Sequence, residues 1–335
     1  MVVKVGINGF GRIGRLAFRI AWENPELEIV AINGRANTQT LAHLLKYDSN
    51  HGRYQREVTF DDNNIYIDGK AVRIFKGATP ADIPWDEVGA ELILESTGKF
   101  KTAEEISGHF VHGAKKALLS APGKGDDILT VVYGVNHDLY DPEKYSVVSN
   151  ASCTTTCMAP VLKIVDREFG INRGTMTTVH AYTNDQQILD KSHKDLRRAR
   201  NAASSIIPTS TGAAKAVAQV LPQLKGKIIG YALRVPVPNV SLVDLTLELA
   251  KDVTAAEVNA ALKAASEGEL KGVLAYTEEP LVSCDYMTTE ASGTVDALST
   301  SVVGGNMVKL LAWYDNEWGY SCRIVDMLQY MGERM

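Results

Sequence analysis

The residues best equipped for chemistry lie in Ser149-Asn150-Ala151-Ser152-Cys153-Thr154-Thr155-Thr156-Cys157 and, further on, at His180. A strand-like run over 145–149 leads into the first stretch. Residues 158–169 follow with apolar side chains at helical spacing (Val161, Leu162, Ile164, Val165, Phe169) and stop at Gly170. The spacing predicts a helix with Ser152 as N-cap and Cys153 in its first turn. Open N–H groups and the positive end of the helix dipole favour an anion there, so the thiolate of Cys153 is expected to be stabilised over its thiol. A free thiol titrates near ~8.5, and lowering it to ~6 would raise the nucleophile concentration at neutral pH roughly 30-fold. The competing reading is a buried small hydrophobe, a common fate of free cysteine. His180 lies in a β-branched strand over 174–183, where a histidine is often a hydrogen-bonded core residue. A cysteine at a helix start and a histidine on a nearby strand nonetheless form an activated pair when the fold brings them within reach.

A chain of 335 residues, 45% of them hydrophobic, exceeds the size of one growing core and is expected to form two domains. A net charge of −5 and a pI near 5.9 argue against nucleic-acid or membrane-surface partners, which require a basic face. Four cysteines and no apolar leader at Met1-Val2-Val3-Lys4 point to a reducing cytoplasm. No metal-site spacing is expected: Cys153 and Cys157 are not matched by a second Cys or His pair.

Residues 2–7 read as a strand and 12–22 as a helix, with Gly9-Phe10-Gly11-Arg12-Ile13-Gly14 between them and a second strand over 28–32. That is the G-x-G-x-x-G turn in the context that gives it meaning. Its glycines permit a tight turn and close backbone approach to a pyrophosphate resting on the helix N-terminus. At the end of the second strand, where an acid usually binds both ribose hydroxyls, the chain reads Asn33-Gly34-Arg35. The acid is missing and a guanidinium stands beside the vacancy, which suits a 2′-phosphate; the alternative is a solvated loop arginine. Two further strands end in small hydroxyl residues, at Ser96-Thr97-Gly98 and Ser120-Ala121-Pro122, as befits a ligand crevice. Residues 54–74, turning at Asp68-Gly69, look like a hairpin insertion.

Beyond His180, a polar stretch over 184–205 is too long to be idle. Strand-like runs over 228–235, 240–249, 273–276 and 307–313 suggest a mostly antiparallel sheet. Thr254 with Glu257 predicts a capped helix to about 267, and 318–331 an amphipathic last helix.

Taken together, Gly9 to Gly14, Ser149 to Thr155, His180-Ala181-Tyr182-Thr183-Asn184-Asp185, Arg234-Val235-Pro236-Val237-Pro238 and Trp313-Tyr314-Asp315-Asn316-Glu317 resemble the phosphorylating glyceraldehyde-3-phosphate dehydrogenases over essentially the whole chain. The resemblance implies an α/β fold in which residues 1–151 form a Rossmann-type parallel-sheet domain, with a C-terminal helix over 318–335 packing back on it. Residues 152–317 would form an α+β catalytic domain. It further implies that Cys153 attacks an aldehyde, that His180 activates it and serves as base, and that inorganic phosphate then releases an acyl phosphate from a thioester. Thr183, Asp185 and Arg234 would hold the substrate phosphate; Ser152, Thr154, Thr211 and Gly212 would hold inorganic phosphate. Gly9, Gly11, Arg12, Ile13, Gly14, Gly34, Arg35, Thr97, Ser120 and Asn316 would bind the cofactor, in a cytoplasmic homotetramer whose 184–205 loop borders the neighbour's cofactor site.

Departures from the family pattern carry information. Gly34-Arg35 stands where most NAD-using members have Asp-Leu, and Lys191-Ser192 where many have Leu-Pro. In NADP-using relatives a serine at the latter place reaches a 2′-phosphate across the subunit boundary, so Ser192 joins the cofactor set and NADP is expected to be preferred, with NAD possible. Thr156 and Ala78 replace a usual Asn and Arg. The alternatives are an erythrose-4-phosphate dehydrogenase and a non-catalytic nucleotide-binding protein on the same fold.

Overall fold

A computed structural model describes residues 2–335, and the chain divides into two compact units. The first comprises residues up to 133, 137–151 and 321–335; the second comprises 134–136 and 152–320.

In the first unit the elements run β1 (Val3–Asn8), α1 (Arg12–Ala21), β2 (Leu27–Asn33), α2 (Thr38–Lys46), β3 (Tyr47–Asp48), β4 (Gly52–Arg53), β5 (Val58–Phe60), β6 (Asn64–Ile67), β7 (Lys70–Phe75), β8 (Leu92–Glu95), α3 (Ala103–Ser107), β9 (Lys116–Leu119), β10 (Leu129–Thr130) and β11 (Val147–Ser149). Nine strands form one sheet in the order β10-β11-β9-β8-β1-β2-β7-β6-β5, parallel from β10 through to β7. Its central strands are apolar almost without interruption, as a sheet covered on both faces requires; Leu92, Ile93 and Leu94 are all fully buried. The register sets Asn8 beside both Asn33 and Glu95, so three polar residues end three adjacent strands.

The hairpin expected over 54–74 forms as β6 and β7, turning at Asp68 (φ +49°) and Gly69 (φ +82°), the left-handed pair a two-residue turn demands. It is more than an insertion. β7 also pairs in parallel with β2, so the hairpin widens the main sheet.

The second unit contains α4 (Cys153–Phe169), β12 (Ile171–Ala181), β13 (Ile207–Ser210), α5 (Ala213–Val220), β14 (Ile228–Val235), β15 (Ser241–Leu249), α6 (Ala255–Glu267), β16 (Leu274–Thr277), β17 (Gly293–Val303) and β18 (Met307–Tyr314). Its seven strands are ordered β13-β14-β12-β15-β18-β17-β16. Four of the six pairings are antiparallel, and β12–β14 and β16–β17 are parallel. Along β15 buried and half-buried residues alternate strictly, the pattern of a sheet with one face on the core. The helices α4 and α6 pack together, and α4 also lies against β15 and β17. The helix α6 begins with a full capping box, Thr254 with Glu257. β13 and the eleven-residue β17 do not stand out in the sequence, whereas α4 forms despite Pro160 inside it.

The last helix, α7 (Trp318–Gly332), has most of its length in the first unit, where Asn24 Nδ2 donates to Gln329 Oε1 at 2.9 Å. No helix among the described residues is long and apolar enough to cross a membrane.

One ion pair locks the segment after α2. Arg12 makes a bidentate contact with Asp48, which also accepts from the N–H groups of Asn50 and His51 at 2.9 and 3.0 Å. Burial alone would raise the Asp48 carboxyl, but Arg12 and these N–H groups hold it down to about 2. Because the folded value lies below the unfolded one, the contribution is complete above about pH 4 and is lost as pH falls through 2; a shift of this size corresponds to about 2 kcal/mol. Asp48→Asn is therefore expected to lower stability in urea by about 2 kcal/mol at pH 7, with the gap closing between pH 4 and pH 2. An unchanged gap at pH 2.5 would assign the loss to geometry instead of charge.

Candidate active site

Ser152 caps α4, its hydroxyl accepting from the Thr155 N–H at 3.2 Å, and the chain enters through Ala151 at φ +53°. Left-handed backbone on an alanine costs about 1 kcal/mol, which the fully buried surroundings of Ala151 impose. Cys153 thus opens the helix, half-buried and free of any disulfide. Its Sγ lies 3.5 Å from His180 Nε2.

His180 is delivered by β12, and the parallel register with β14 sets it directly beside Arg234. Arg234 Nη1 is 2.9 Å from His180 Nδ1 and donates to the Ala181 carbonyl at 3.0 Å; that same carbonyl is 2.7 Å from Nδ1. A carbonyl only accepts, so the 2.7 Å contact is a hydrogen bond when Nδ1 carries the proton; Arg234 then donates to Ala181 O and not to Nδ1, and the Nε2 lone pair faces the thiol. Tyr314 completes the floor. Its buried hydroxyl bonds Thr154 and Thr178, each at 2.9 Å, and its ring stands edge-on to the imidazole.

The electrostatics correct a simple expectation of thiolate. With its partner uncharged each group resists ionisation: burial pushes the Cys153 thiol up, against the pull of Arg234 and Thr154, and burial then Arg234 push His180 down to about 3. Ionised together, thiolate and imidazolium 3.5 Å apart attract by about 5 kcal/mol at an effective dielectric near 20. The helix start does not outweigh burial at the thiol, and the contact with His180 is where a shared proton would lie.

Arg234 itself is half-buried, pairs with no carboxylate among the described residues, and keeps a buried Nε without a partner. Such a cation is costly unless an anion joins it. Asp185, by contrast, is already engaged: it pairs with Arg198 and lies 3.6 Å from His193. Arg198 also donates to Thr209 at 2.9 Å and to the Ser210 carbonyl at 3.3 Å. An ionised carboxylate accepts only, so Asp185 aims Arg198 and cannot itself donate to a phosphate. Sequence reasoning missed Arg198, because nothing in Arg197-Arg198-Ala199-Arg200 tells which guanidinium turns inward. Thr183 is half-buried two residues before Asp185, and Thr211 and Gly212 stand at the start of α5. Asn316 is buried and accepts from Ser241 Oγ at 2.7 Å, and that hydroxyl in turn accepts from Ala181 N–H at 3.0 Å.

In the first unit Gly9, Gly11, Gly34, Arg35 and Thr97 line one cleft of about 340 Å³. Gly9 is left-handed (φ +95°), and a Cβ there would stand 2.7 Å from the Thr97 nitrogen. A Cβ on Gly11 would meet nothing within 4 Å, so the protein's own packing does not require that glycine. No side chain caps α1 at Gly11, which suits an anion at its first turn. These features fit a dinucleotide. The cleft lining includes no Asp or Glu but two cations, Arg35 and Lys99, the second unnoticed in the sequence. Arg12, Ile13, Gly14 and Ser120 lie outside the lining: Arg12 is committed to Asp48, Gly14 packs on the Gly9 carbonyl, and the Ser120 N–H donates to the Glu95 carbonyl at 3.0 Å. Ser192 is exposed on the 182–206 segment of the second unit, which closes on itself through Lys191 N–H to Ala199 O and Ala202 N–H to Gln187 O, both at 2.9 Å. Among the described residues no cluster of His, Cys, Asp and Glu could hold a metal ion.

A dinucleotide cleft on one unit and a thiol with an imidazole partner on the other are the equipment of an oxidoreductase that works through a covalent intermediate. Comparison with known proteins narrows the class. Residues 3–103 match the family described as glyceraldehyde 3-phosphate dehydrogenase, NAD binding domain, and residues 152–316 its C-terminal domain. The glyceraldehyde-3-phosphate dehydrogenase of Geobacillus stearothermophilus is 60% identical over 100% of this chain and 99% of its own. Bacillus subtilis glyceraldehyde-3-phosphate dehydrogenases 1 and 2 are 58% and 55% identical over the full chain, covering 99% and 98% of their lengths. The chain belongs to the glyceraldehyde-3-phosphate dehydrogenase family and is a nicotinamide-dependent oxidoreductase.

His180→Asn is expected to move the pH midpoint of Cys153 alkylation by iodoacetamide upward by at least about one unit, because the thiolate loses the cation that forms with it. An identical profile would show that the two side chains do not share a proton.

Proposed function

We propose that the chain oxidises D-glyceraldehyde 3-phosphate to 1,3-bisphosphoglycerate, reversibly, with NADP the preferred acceptor. The observation that carries this reading is Arg234, a half-buried cation without a carboxylate, set beside the thiol's own base. It is a seat for a phosphate that arrives attached to the reacting aldehyde. Thr183 supports it, and Ser152, Thr154, Thr211, Gly212 and Arg198 offer hydroxyls, N–H groups and charge for inorganic phosphate.

Cys153 Sγ adds to the aldehyde carbon as its proton passes to His180 Nε2, giving a hemithioacetal. His180, neutral again after protonating the new oxyanion, then removes the hydroxyl proton while hydride leaves the same carbon, and a thioester remains. Bound nicotinamide supplies the hydride acceptor. An oxygen of inorganic phosphate next attacks the thioester carbon, the C–S bond breaks, and the acyl phosphate leaves with Cys153 regenerated. The His180 imidazolium stabilises the oxyanion in that step. Asn316, oriented by Ser241, is assigned to the nicotinamide carboxamide.

The NADP preference rests on charge. A carboxylate at position 34 would repel a 2′-phosphate by several kcal/mol where water is partly excluded, and Gly34 removes it. Arg35, exposed and without a hydrogen-bond or ion-pair partner among the described residues, can add roughly 1.5 to 3 kcal/mol, or one to two orders of magnitude in affinity. Lys99 supports the same sign of potential. Ser192 of a neighbouring copy would add a neutral bond of about 1 kcal/mol. A Cβ on Gly34 would stand 2.9 Å from a terminal methyl of the buried Leu41, so a side chain there requires that Leu41 shift.

Residues 182–206 expose Ile188, Leu189 and Leu196 at 75%, 71% and 83%, too much apolar surface to leave in water on one loop. This loop is assigned to the contact between copies in a homotetramer. The expected mass at micromolar concentration is four chains; a monomer there would refute the assignment.

With aldehyde and phosphate present, the parent is expected to turn over with a higher kcat/KM for NADP than for NAD, and Cys153→Ser to abolish turnover. Gly34→Asp with Arg35→Leu is expected to reverse the cofactor ratio and leave the aldehyde KM nearly unchanged. A parent that favours NAD would overturn the 2′-phosphate reading. Turnover with erythrose 4-phosphate exceeding that with glyceraldehyde 3-phosphate would favour the sister activity.

A further inference from the structure

Behind the cofactor cleft runs a buried polar chain to which the reaction gives no task. It starts at Trp85, fully buried, whose indole N–H lies 3.0 Å from His109 Nδ1. An indole can only donate, so His109 carries its proton on Nε2, which faces Glu95 Oε2 at 3.2 Å. Glu95, fully buried, accepts on every side. Oε2 also takes Asn8 Nδ2 at 2.5 Å, while Oε1 takes the Thr97 N–H at 2.9 Å and the Thr97 hydroxyl at 2.5 Å.

With its NH2 turned to Glu95, Asn8 presents Oδ1 to Asn33 Nδ2 at 2.8 Å. Asn33 then donates to the Gly77 carbonyl at 3.1 Å and accepts from the Gly77 N–H at 2.8 Å. Each amide can point only one way, because the group before it offers only one kind of valence. The parallel register makes this possible by ending β8, β1 and β2 on Glu95, Asn8 and Asn33 side by side. Asn8, Asn33, Gly77 and Thr97 line the cleft; Trp85, His109 and Glu95 do not.

We propose that Glu95 is a positioning residue for the adenosine half of the dinucleotide. Its four accepted hydrogen bonds fix the Thr97 turn on one side and, through Asn8, the Asn33–Gly77 wall on the other. Gly34 and Arg35 follow directly from that wall. A buried carboxylate is a costly way to fill space, and an apolar side chain would pack as well. What only a carboxylate supplies is acceptance in both directions. A glutamine in its place has one oxygen and one NH2, so it can serve Asn8 and His109 or Thr97, but not both.

The inference rests on reading this cleft as the dinucleotide site, and the parent's binding of 2′-phospho-ADP-ribose, the cofactor without its nicotinamide, tests that reading alone. If the parent binds the fragment, the test passes to two sets of variants of the full-length protein, each followed by calorimetric titration with the fragment, thermal melting and kinetics. Glu95→Gln is expected to weaken the fragment at least tenfold, while kcat at saturating cofactor stays within about threefold and the aldehyde KM is unchanged. His109→Leu, which removes one donor, is expected to weaken the fragment about fivefold, and His109→Gln, whose NH2 can still donate to Glu95, to restore it to within about twofold. Unchanged fragment affinity in a folded Glu95→Gln protein would overturn the proposal. If Glu95→Gln does not fold, the histidine pair decides: unchanged affinity in His109→Leu, or equal loss in both histidine variants, would show that the chain serves packing alone.

Discussion

A single imidazole stands between a thiol and a guanidinium, and the second unit is arranged around keeping it there. The parallel pairing of β12 with β14, one of two in a mostly antiparallel sheet, sets His180 beside Arg234. Slipping that register by one residue would turn Arg234 to the opposite face and break the line. The cost of the arrangement is electrostatic. Arg234 holds the imidazole in its neutral form and at the same time favours the thiolate, so the two effects oppose one another in a proton transfer from Cys153 to His180. Burial sets the larger part of the penalty on the imidazolium, and an anion on Arg234 would offset only the part that Arg234 adds. Arg234 thus acts on both partners of the Cys153–His180 contact, in opposite directions.

The first unit solves a different problem, which is to bring bare backbone close to a ligand that carries several negative charges. Gly9 and Gly14 serve internal packing, since a side chain at either would strike backbone. Gly11 alone opens outward. The missing acid at position 34 leaves the cleft lined by two cations, Arg35 and Lys99, and no carboxylate, so its own charges make a positive surface.

The sequence made some of this legible because the relevant information is local. Helix α4, its Ser152 cap and its Gly170 end follow from spacing and cap chemistry, and so does α6 from Thr254 and Glu257. The glycine turn after β1 is equally local. What stayed hidden depends on pairings between distant residues. The length and placement of β17 are fixed by its contacts with β16 and β18, and β7 joins the main sheet only through β2. Cys153 and His180 could be nominated from sequence, but the effect of burial, which pushes the thiol up and the imidazole down, could not. Arg198 and Arg12 show the same limit in opposite senses. One arginine of a basic loop turns inward unannounced, and one arginine of the glycine motif turns away to Asp48.

The contrast between Glu95 and Arg234 shows how burial and satisfaction together sort ionisable groups. Both carry charge away from bulk water. Glu95 meets four donors, so no ligand is needed to complete it, and its influence must pass through the groups it orients. Arg234 lacks a counter-ion and leaves Nε unbonded, so its solvation is finished only when an anion arrives. An unsatisfied buried charge points to binding, whereas a fully satisfied one points to orientation. The same rule puts Asp48, satisfied by Arg12 and two N–H groups, with Glu95, and leaves Arg234 on the other side of the division.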